Sequence, residues 1–401
     1  MTTLSIIPLG DSHTPDTPAK GFALFELGFR PFFLLAALSG LSLMLLWLWF
    51  WLSTTQFSHY SMIGWHSHEM LFGFSLAIIA GFLLTAVRNW TGLDTPTGRP
   101  LALLAGLWIA GRLLPLMPSS LVGLFVLIDL LFLPALIAAL SRPLVKAENR
   151  INRLFIPLLA MMAIANLLYH LGALDLLDTS RNGISLMTNS ILLLLIFVGG
   201  RVLPFFTEKA VADATPRFSK QREQAVYALF LLWALSDLLL PNSWPAMLLA
   251  LGVAITQAWR LYDWHHPQVW KKPILWILYT GLAWLVIGFL LKAMVQIELF
   301  ADNLATHTLT AGAIGVTTLG MMARVALGHT GREIDANRTM VLAFILINIA
   351  VVIRVFVPLT GLLSYQTCIT LSAVAWSTCY LLFTMIYLPI LIRPRIDGRP
   401  G

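Results

Sequence analysis

The chain has 401 residues, of which 58% are hydrophobic and 11% are charged, and its mean hydropathy is +0.81. A soluble domain carries about 25% charged residues, so this composition excludes an ordinary soluble protein. The net charge of +7 is compatible with nucleic-acid binding, but the usual charge asymmetry of membrane proteins explains it without a nucleic acid.

Apolar runs of about 20 residues recur along the chain, and this is the length of helix that crosses a bilayer core of ~30 Å. The runs predict an all-α membrane protein of about twelve transmembrane helices. They leave an N-terminal tail over 1–30 and a C-terminal tail over 393–401, with one membrane domain over 31–392 between them. The predicted spans lie near 31–52, 62–86, 100–117, 121–140, 153–171, 183–203, 224–240, 244–261, 273–297, 303–325, 339–357 and 366–390.

The basic residues are distributed unevenly between the two sides of the membrane. With twelve spans both termini lie on one side, and all but four of the 26 Lys and Arg residues fall on that side. Cytoplasmic connections are rich in Lys and Arg, so the sequence predicts a bacterial inner-membrane protein with both termini in the cytoplasm. The four basic residues left for the outer side are Arg112, Arg181, Lys292 and Arg354.

Helix two opens with the densest group of candidate metal ligands, Trp65–Met70, which contains His66, His68, Glu69 and Met70. The two histidines point to opposite sides of a helix, so they would serve two different sites. Glu69 and Met70 share the face of His66. A carboxylate there would orient an imidazole, and a thioether suits copper(I) or an axial position of haem iron.

Two further histidines lie near the outer ends of predicted spans, because His170 closes helix five and His307 opens helix ten. Ionisable residues within a membrane face the bundle interior and mark functional sites. Imidazole binds iron, copper and zinc, so His66, His68, His170 and His307 are predicted to bind a metal or haem. The alternative is that these side chains only hydrogen-bond to loops at the membrane interface.

Other polar residues within the spans have two open interpretations. Asn166 lies one turn before His170, and Asn189 enters helix six from the same side. Buried amides need partners, so they either orient the ligands or bridge helices. Asp129 and Asp237 lie within helices four and seven and are interpreted as buried polar contacts, with a proton relay as the alternative.

The four outer basic residues lie at the level of the four histidines. Haem carries two propionates, which need cationic partners when they are partly desolvated. Arg112, Arg181, Lys292 and Arg354 are therefore predicted to include the propionate partners. The alternative is that they extend to the outer lipid headgroups.

Two parts of the chain match at identical intervals, one starting at His68 and the other at His307. These are helices two and ten, and helix six ends in a similar way, so the pattern indicates three units of four helices. Haem–copper oxidase subunits have this arrangement. The alternative is coincidence, since glycine is common where transmembrane helices pack closely. The matching residues are Gly73, Gly81, Thr91 and Gly92 in the first part and Gly312, Gly320, Thr330 and Gly331 in the second.

Several segments resemble the NnrS family, and the resemblance covers nearly the whole chain. It implies a bacterial membrane protein that contains haem and copper and is linked to nitric oxide, denitrification and resistance to nitrosative stress. The segments that carry the resemblance are Phe25–Phe33, Trp65–Gly73, Gly200–Thr207, Gly312–Gly315 and Leu319–Arg332.

The last of these segments contains His329, which the predicted topology places on the cytoplasmic side. It either forms a second site there with His265 and His266 or stabilises the loop, and the loop role is preferred.

The preferred hypothesis is a haem–copper protein that senses, binds or detoxifies nitric oxide or a related small molecule. An enzyme would also need a redox partner and a proton path. The sequence shows neither, so whether the chain is an enzyme is left open. The alternatives are a twelve-helix secondary transporter and a membrane factor that passes metal onward.

Overall fold

The computed structural model describes residues 21–53, 60–113 and 119–399, and this part of the chain forms helices and loops without strands. Most of the predicted N-terminal tail, His13, His59 and the last two residues lie outside the described residues. The long helices are α1 Phe29–Ser53, α2 Met62–Thr91, α3 Gly98–Leu113, α4 Val122–Lys146, α5 Arg150–Ala173, α6 Ser180–Ala210, α7 Lys220–Leu239, α8 Trp244–Trp264, α9 Pro273–Val295, α10 Asp302–His329, α11 Arg338–Val355 and α12 Tyr365–Ile392.

Nine helices in the described residues are long and apolar enough to cross a membrane, namely all but α3, α7 and α8. The chain is therefore a multi-pass membrane protein. The other three helices coincide with predicted spans, but α3 has only 16 residues and α7 begins with three charged residues within its first four. The count of twelve spans stays a prediction.

Two compact units make up the described structure. The first comprises the described residues within 1–187, 325–334 and 384–401, and the second comprises 188–324 and 335–383. In the first unit, α1 packs on α2, α3 packs on α4, and α4 packs on α5. In the second, α7 packs on α8, α8 on α9, and α9 on α10.

Close packing in the first unit depends on the glycine residues of the α1–α2 contact. A Cβ atom at Gly81 would lie 2.9 Å from the side chains of both Phe32 and Phe33. On the same face of α2, the Thr85 hydroxyl accepts a hydrogen bond of 2.9 Å from the Phe29 backbone N–H. Small residues let transmembrane helices approach closely, and here they leave room for three phenylalanine rings.

Buried Arg30 joins the start of α1 to the end of α12. Its guanidinium donates to the carbonyl oxygens of Leu391 at 2.9 Å and of Arg393 at 2.6 Å. The last carbonyls of a helix have no partner within the helix, and a cation there also interacts favourably with the helix dipole. Arg30 of α1 therefore provides hydrogen-bond donors for the unpaired carbonyl groups at the end of α12.

In the second unit, Arg260 of α8 is fully buried and pairs with Glu223 of α7. Its NH2 group lies 2.8 Å from one carboxylate oxygen and its Nε lies 3.2 Å from the other. A Cβ atom at Gly200 would overlap this guanidinium. The first residue of the Gly200–Thr207 segment therefore has to be glycine, because the buried ion pair occupies the space of a side chain.

Both α2 and α10 contain a stretch of π-helix, and each stretch begins directly after a histidine. The stretch in α2 is Glu69–Ser75 and follows His68, whereas that in α10 is Thr308–Val316 and follows His307. Segments of π-helix occur frequently at functional sites because they re-aim the side chains of a helix. Both parts of the predicted repeat thus contain the same departure from regular α-helix.

Candidate metal centre

His68, Asp129 and His170 form a buried cluster in the first unit. The Asp129 Oδ2 atom lies 3.2 Å from Nε2 of His68 and 2.9 Å from Nε2 of His170. The three residues offer ligand atoms that all lie within 4.8 Å of one another. Each of the three residues is at most 4% exposed. Among the described residues, one group of His, Cys, Asp and Glu side chains has the spacing of a metal site, and it is this cluster.

Three helices position the cluster. His68 precedes the π-helical stretch of α2, Asp129 lies in α4, and His170 lies in the last turn of α5. The neighbouring α3 leaves room for the carboxylate, because a Cβ atom at Gly111 would lie 3.1 Å from Asp129 Oδ1. The fit between α3 and α4 therefore depends on the absence of a side chain there.

Each imidazole has one nitrogen towards Asp129 and the other towards an orienting group. The Nδ1 atom of His68 lies 3.1 Å from the Glu69 carboxylate, and Nδ1 of His170 lies 2.8 Å from the Tyr60 hydroxyl. A carboxylate only accepts hydrogen bonds, so Glu69 favours the Nδ1–H form of His68. The Nε2 atom of His68, which faces the oxygens of Asp129 and Asn166, is then the nitrogen that could bind a metal. Histidines that bind metals usually donate their other ring nitrogen in this way.

Asn166 ties the cluster together from α5. Its amide nitrogen donates to Asp129 Oδ2 at 2.8 Å, and its amide oxygen lies 3.2 Å from Nε2 of His68. The side chain is 2% exposed, so it would be costly without these partners. Asn166 holds the carboxylate and the imidazole in one arrangement.

Arg112 balances half of the negative charge of Glu69 and Asp129. Its NH1 group donates to Glu69 at 2.9 Å, and its NH2 group pairs with Asp129. Two carboxylates and one guanidinium leave one net negative charge when both imidazoles are neutral. A charge buried in an apolar bundle is costly unless it is paired. A bound cation would provide the missing positive charge.

Aromatic rings enclose the cluster and bury its atoms from lipid and water. The His68 ring is stacked on Tyr169 at 4.8 Å and on Phe72 at 5.0 Å, while Phe125 meets His170 edge-on at 5.5 Å. Tyr60 is also buried, and burial raises the pKa of its hydroxyl above the usual range.

The family model described as NnrS protein matches residues 23–395. The chain belongs to the NnrS family. No curated protein matches it. The matched range includes every residue of the cluster. Of the segments that resemble NnrS, Trp65–Gly73 contains His68, and Gly312–Gly315 lies within the π-helical stretch after His307.

The other predicted residues of helix two in this NnrS chain have different outcomes. Glu69 belongs to the cluster through its contacts with His68 and Arg112, whereas His66 contacts another helix. The His66 ring packs on Trp47 with the ring centres 4.4 Å apart. Met70 is half-buried, and its carbonyl accepts a hydrogen bond from Ser75 at 2.7 Å. Asn189 is half-buried in the second unit.

His307 lies in the second unit of the NnrS chain and has a simpler environment than His68. Its Nδ1–H donates to the carbonyl oxygen of Asn303 at 2.6 Å, and Nε2 has no hydrogen-bond partner among the described residues. This is the form in which Nε2 carries the lone pair. The residues after His307 are small, with Ala311, Gly312 and Ala313 in sequence.

The predicted propionate partners have different surroundings. Arg112 is taken up by Glu69 and Asp129, as described above, and Arg181 is exposed at the start of α6. Lys292 pairs with the exposed Asp302 at 2.5 Å. Arg354 donates from NH2 to the Tyr365 hydroxyl at 3.1 Å, and its buried NH1 has no partner within the described structure.

The three histidines of the predicted cytoplasmic side are engaged in local contacts. His329 packs on Phe29 at 5.8 Å in the first unit. In the second unit His265 accepts a hydrogen bond of 2.9 Å from the Trp270 indole, and His266 accepts one of 3.3 Å from the Gln268 backbone. Contacts of this kind support loops.

Sequence reasoning missed the central role of Asp129 and did not consider Tyr60. The sequence did contain an indication for Asp129, because a carboxylate in the middle of an apolar span is energetically costly unless other side chains pair with it. Combining it with Arg112 and His170 at one membrane depth would have indicated the cluster. No comparable signal marks Tyr60, which lies just before helix two.

Proposed function

We propose that this NnrS-family protein is a haem–copper membrane protein that takes part in the response to nitric oxide and nitrosative stress, often alongside denitrification. The observation that carries the proposal is the buried cluster of His68, Asp129 and His170. Ionisable side chains within apolar helices are energetically costly. They are rare for this reason, and where they occur they usually mark a functional site. The family membership supports the same conclusion.

Copper is proposed for the cluster. Two imidazole nitrogens and one carboxylate oxygen suit a divalent transition metal, and the net negative charge of the cluster favours a cation. When bound, copper would supply a redox-active centre with affinity for nitrogen oxides. Glu69 and Tyr60 would hold the two imidazoles with their Nε2 atoms available, and the aromatic rings would exclude water.

Haem is proposed for the second unit, with His307 as an axial ligand. The hydrogen bond to Asn303 leaves Nε2 available, and small residues follow on the π-helical stretch. Lys292 and Arg354 are the proposed partners of the propionates, because NH1 of Arg354 has no partner among the described groups. A propionate at Arg112 would have to compete with Glu69 and Asp129.

The remaining features of the proposal concern topology and partners. We propose twelve spans in three units of four, with both termini in the cytoplasm of a bacterial inner membrane. The matching π-helical stretches support an internal repeat, and the uneven distribution of Lys and Arg supports the orientation. A redox partner is needed only if the protein turns over its ligand.

A proton-coupled transporter is the second candidate. The observation that favours it is the buried network of Glu69, Arg112 and Asp129, because such groups also serve as proton relays in transporters. A transporter would keep this network without copper or haem. Metal content therefore separates the two functions.

The test is an absorption spectrum and a metal analysis of detergent-purified protein from cells supplied with haem and copper. The proposal expects a Soret band, about one copper per chain, and spectral changes when nitric oxide is added under anaerobic conditions. Protein that folds but has neither a Soret band nor copper would exclude the haem–copper function and leave the transporter. Weak, exchangeable metal without haem would instead indicate a factor that passes metal onward.

A further inference from the structure

A groove on the second unit lies outside the proposed cofactor sites. It has a volume of about 520 Å³, within the range of 300–1,000 Å³ that is usual for binding pockets. Helices α9 and α11 form its sides, and a short turn before α9 closes one end. The lining residues are Trp270, Trp276, Thr280, Ile345, Asn348, Ile349 and Val352.

The amide of Asn348 and the hydroxyl of Thr280 in the groove already have hydrogen-bond partners. Asn348 accepts a hydrogen bond of 2.8 Å from the Trp284 indole and donates one of 2.8 Å to the Phe344 carbonyl. The Thr280 hydroxyl donates to the Ile277 carbonyl at 2.9 Å. Groups paired in this way offer little to a polar ligand, so the groove is suited to hydrocarbon.

The groove opens on the outer surface of its unit. Ile345, Ile349 and Val352 are exposed there although they are large and apolar. Both α9 and α11 are candidate membrane spans, so a membrane around them would bring the acyl chains of lipids to this surface.

One end of the groove is positively charged. Trp270 closes this end and is fixed by its hydrogen bond to His265. Lys271 and Lys272 follow directly, and both are exposed and have no ion pair among the described residues. Trp is enriched where the membrane meets water. Exposed Lys residues beside that level attract anionic headgroups.

The lining residues of the groove extend inward along two helices. Trp276 and Thr280 lie four and eight residues beyond Lys272, or about 6 and 12 Å along α9. On the other wall, Ile345 and Val352 lie seven and fourteen residues beyond the first residue of α11, or roughly 10 and 21 Å. The apolar walls thus extend from the charged end into the hydrocarbon layer.

We propose that this groove binds one phospholipid with an anionic headgroup, with its phosphate at Lys271 and Lys272 and one acyl chain between α9 and α11. The apolar walls bind the chain, and the two lysines select the charge of the headgroup. The site is independent of the proposed haem and copper.

The test is native mass spectrometry of the delipidated full-length protein, titrated with phosphatidylglycerol or with phosphatidylcholine of the same chains. The wild type should retain one phosphatidylglycerol in preference to phosphatidylcholine. Each lysine near an anionic headgroup is expected to raise the affinity of the protein for the lipid roughly fivefold. The double variant Lys271→Gln, Lys272→Gln should therefore weaken the binding of phosphatidylglycerol by up to about thirtyfold and leave the binding of phosphatidylcholine unchanged.

A steric variant tests the groove itself. Ile349→Trp should abolish the retained phosphatidylglycerol, whereas Leu371→Trp, at an exposed position of α12, should not. The control for charge is Arg150→Gln, Arg153→Gln, which removes two exposed basic residues of the first unit. If Ile349→Trp does not fold by circular dichroism, Val352→Trp gives the same steric test. Equal retention of phosphatidylglycerol by the folded steric variant and the wild type would overturn the proposal, as would an unchanged headgroup preference in the lysine variant.

Discussion

The Nε2 atom of His170 lies 2.9 Å from the Oδ2 atom of Asp129, and both side chains are buried. The same carboxylate oxygen lies 3.2 Å from Nε2 of His68. One oxygen therefore contacts two imidazoles, and these three side chains would hold a metal bound at this point.

The first prediction concerns Asp129. Asp129→Asn keeps the size of the side chain but removes its charge, so the cluster loses an anionic ligand and Arg112 loses a partner. We expect bound copper to be lost and the protein to be destabilised by about 3 kcal/mol, the lower range for breaking a buried pair. Copper analysis and thermal unfolding in detergent measure the two effects.

The control for this variant is Asp94→Asn, because the carboxylate of Asp94 is 87% exposed in its pair with Arg88. Surface pairs contribute little to stability, so this control should retain copper and its unfolding temperature. Full copper content in Asp129→Asn would show that the carboxylate is not a ligand.

The second prediction separates two tyrosines of the same cluster. Tyr60→Phe removes the hydroxyl that contacts His170, and loss of such an orienting group typically lowers metal affinity by about 10- to 100-fold. Tyr169→Phe removes a buried hydroxyl that has no hydrogen-bond partner among the described residues, so it should keep the affinity. Competition with a copper chelator measures both. Equal affinities in the two variants would contradict an orienting role for Tyr60.

The third prediction assigns the haem to the second unit. His307→Ala should remove the Soret band and keep the copper, since His68 and His170 are unchanged. His68→Ala should have the opposite result and lose copper while it keeps haem. His265→Ala is the control and should change neither, because His265 contacts Trp270 and Tyr279, which belong to neither proposed cofactor site. Loss of haem in His68→Ala with normal haem in His307→Ala would reverse the assignment.

The fourth prediction concerns the buried pair of Arg260 and Glu223. Gly200→Ala places a methyl group where the Arg260 guanidinium lies, so the pair must separate and the protein should lose about 3 kcal/mol or more. The neighbouring Gly199→Ala is the matched control, because its Cβ atom would make an ordinary contact of 3.6 Å with Leu282. Unfolding temperatures in one detergent compare the two. Similar temperatures would show that the pair accommodates the methyl group.

The fifth prediction concerns pH at the C-terminal segment. Hydrogen bonds from Arg395 lower the pKa of Asp397 below its usual value, and Arg395 also donates to the His329 carbonyl at 2.9 Å. A carboxyl group whose pKa is lower in the folded state stabilises that state above its unfolded pKa of about 3.9. The stabilisation is then lost as the pH falls through the folded pKa.

We therefore expect hydrogen exchange of residues 393–399 to accelerate once the pH falls below about 4, after correction for the intrinsic rate. Asp397→Asn should exchange rapidly at every pH and lose this dependence. Exchange that follows only the intrinsic rate in the wild type would argue against the contribution of Asp397.

The sequence by itself determined that the chain is helical and inserts in a membrane, because apolar runs of span length and the scarcity of charge are properties of local composition. It also determined that His68 and His170 lie near the ends of their helices. Depth along a helix follows from counting residues, and both histidines do belong to one cluster.

Only the tertiary structure decided which side chains share that depth and face one another. The direction of a side chain depends on the rotation of its helix and on its neighbours, which hydropathy does not fix. Packing brought Asp129 into contact with both imidazoles, paired Arg112 with two carboxylates and placed the His66 ring against Trp47. The physical reason is that the membrane constrains each helix along its axis, whereas the contacts between helices set the rotation about that axis.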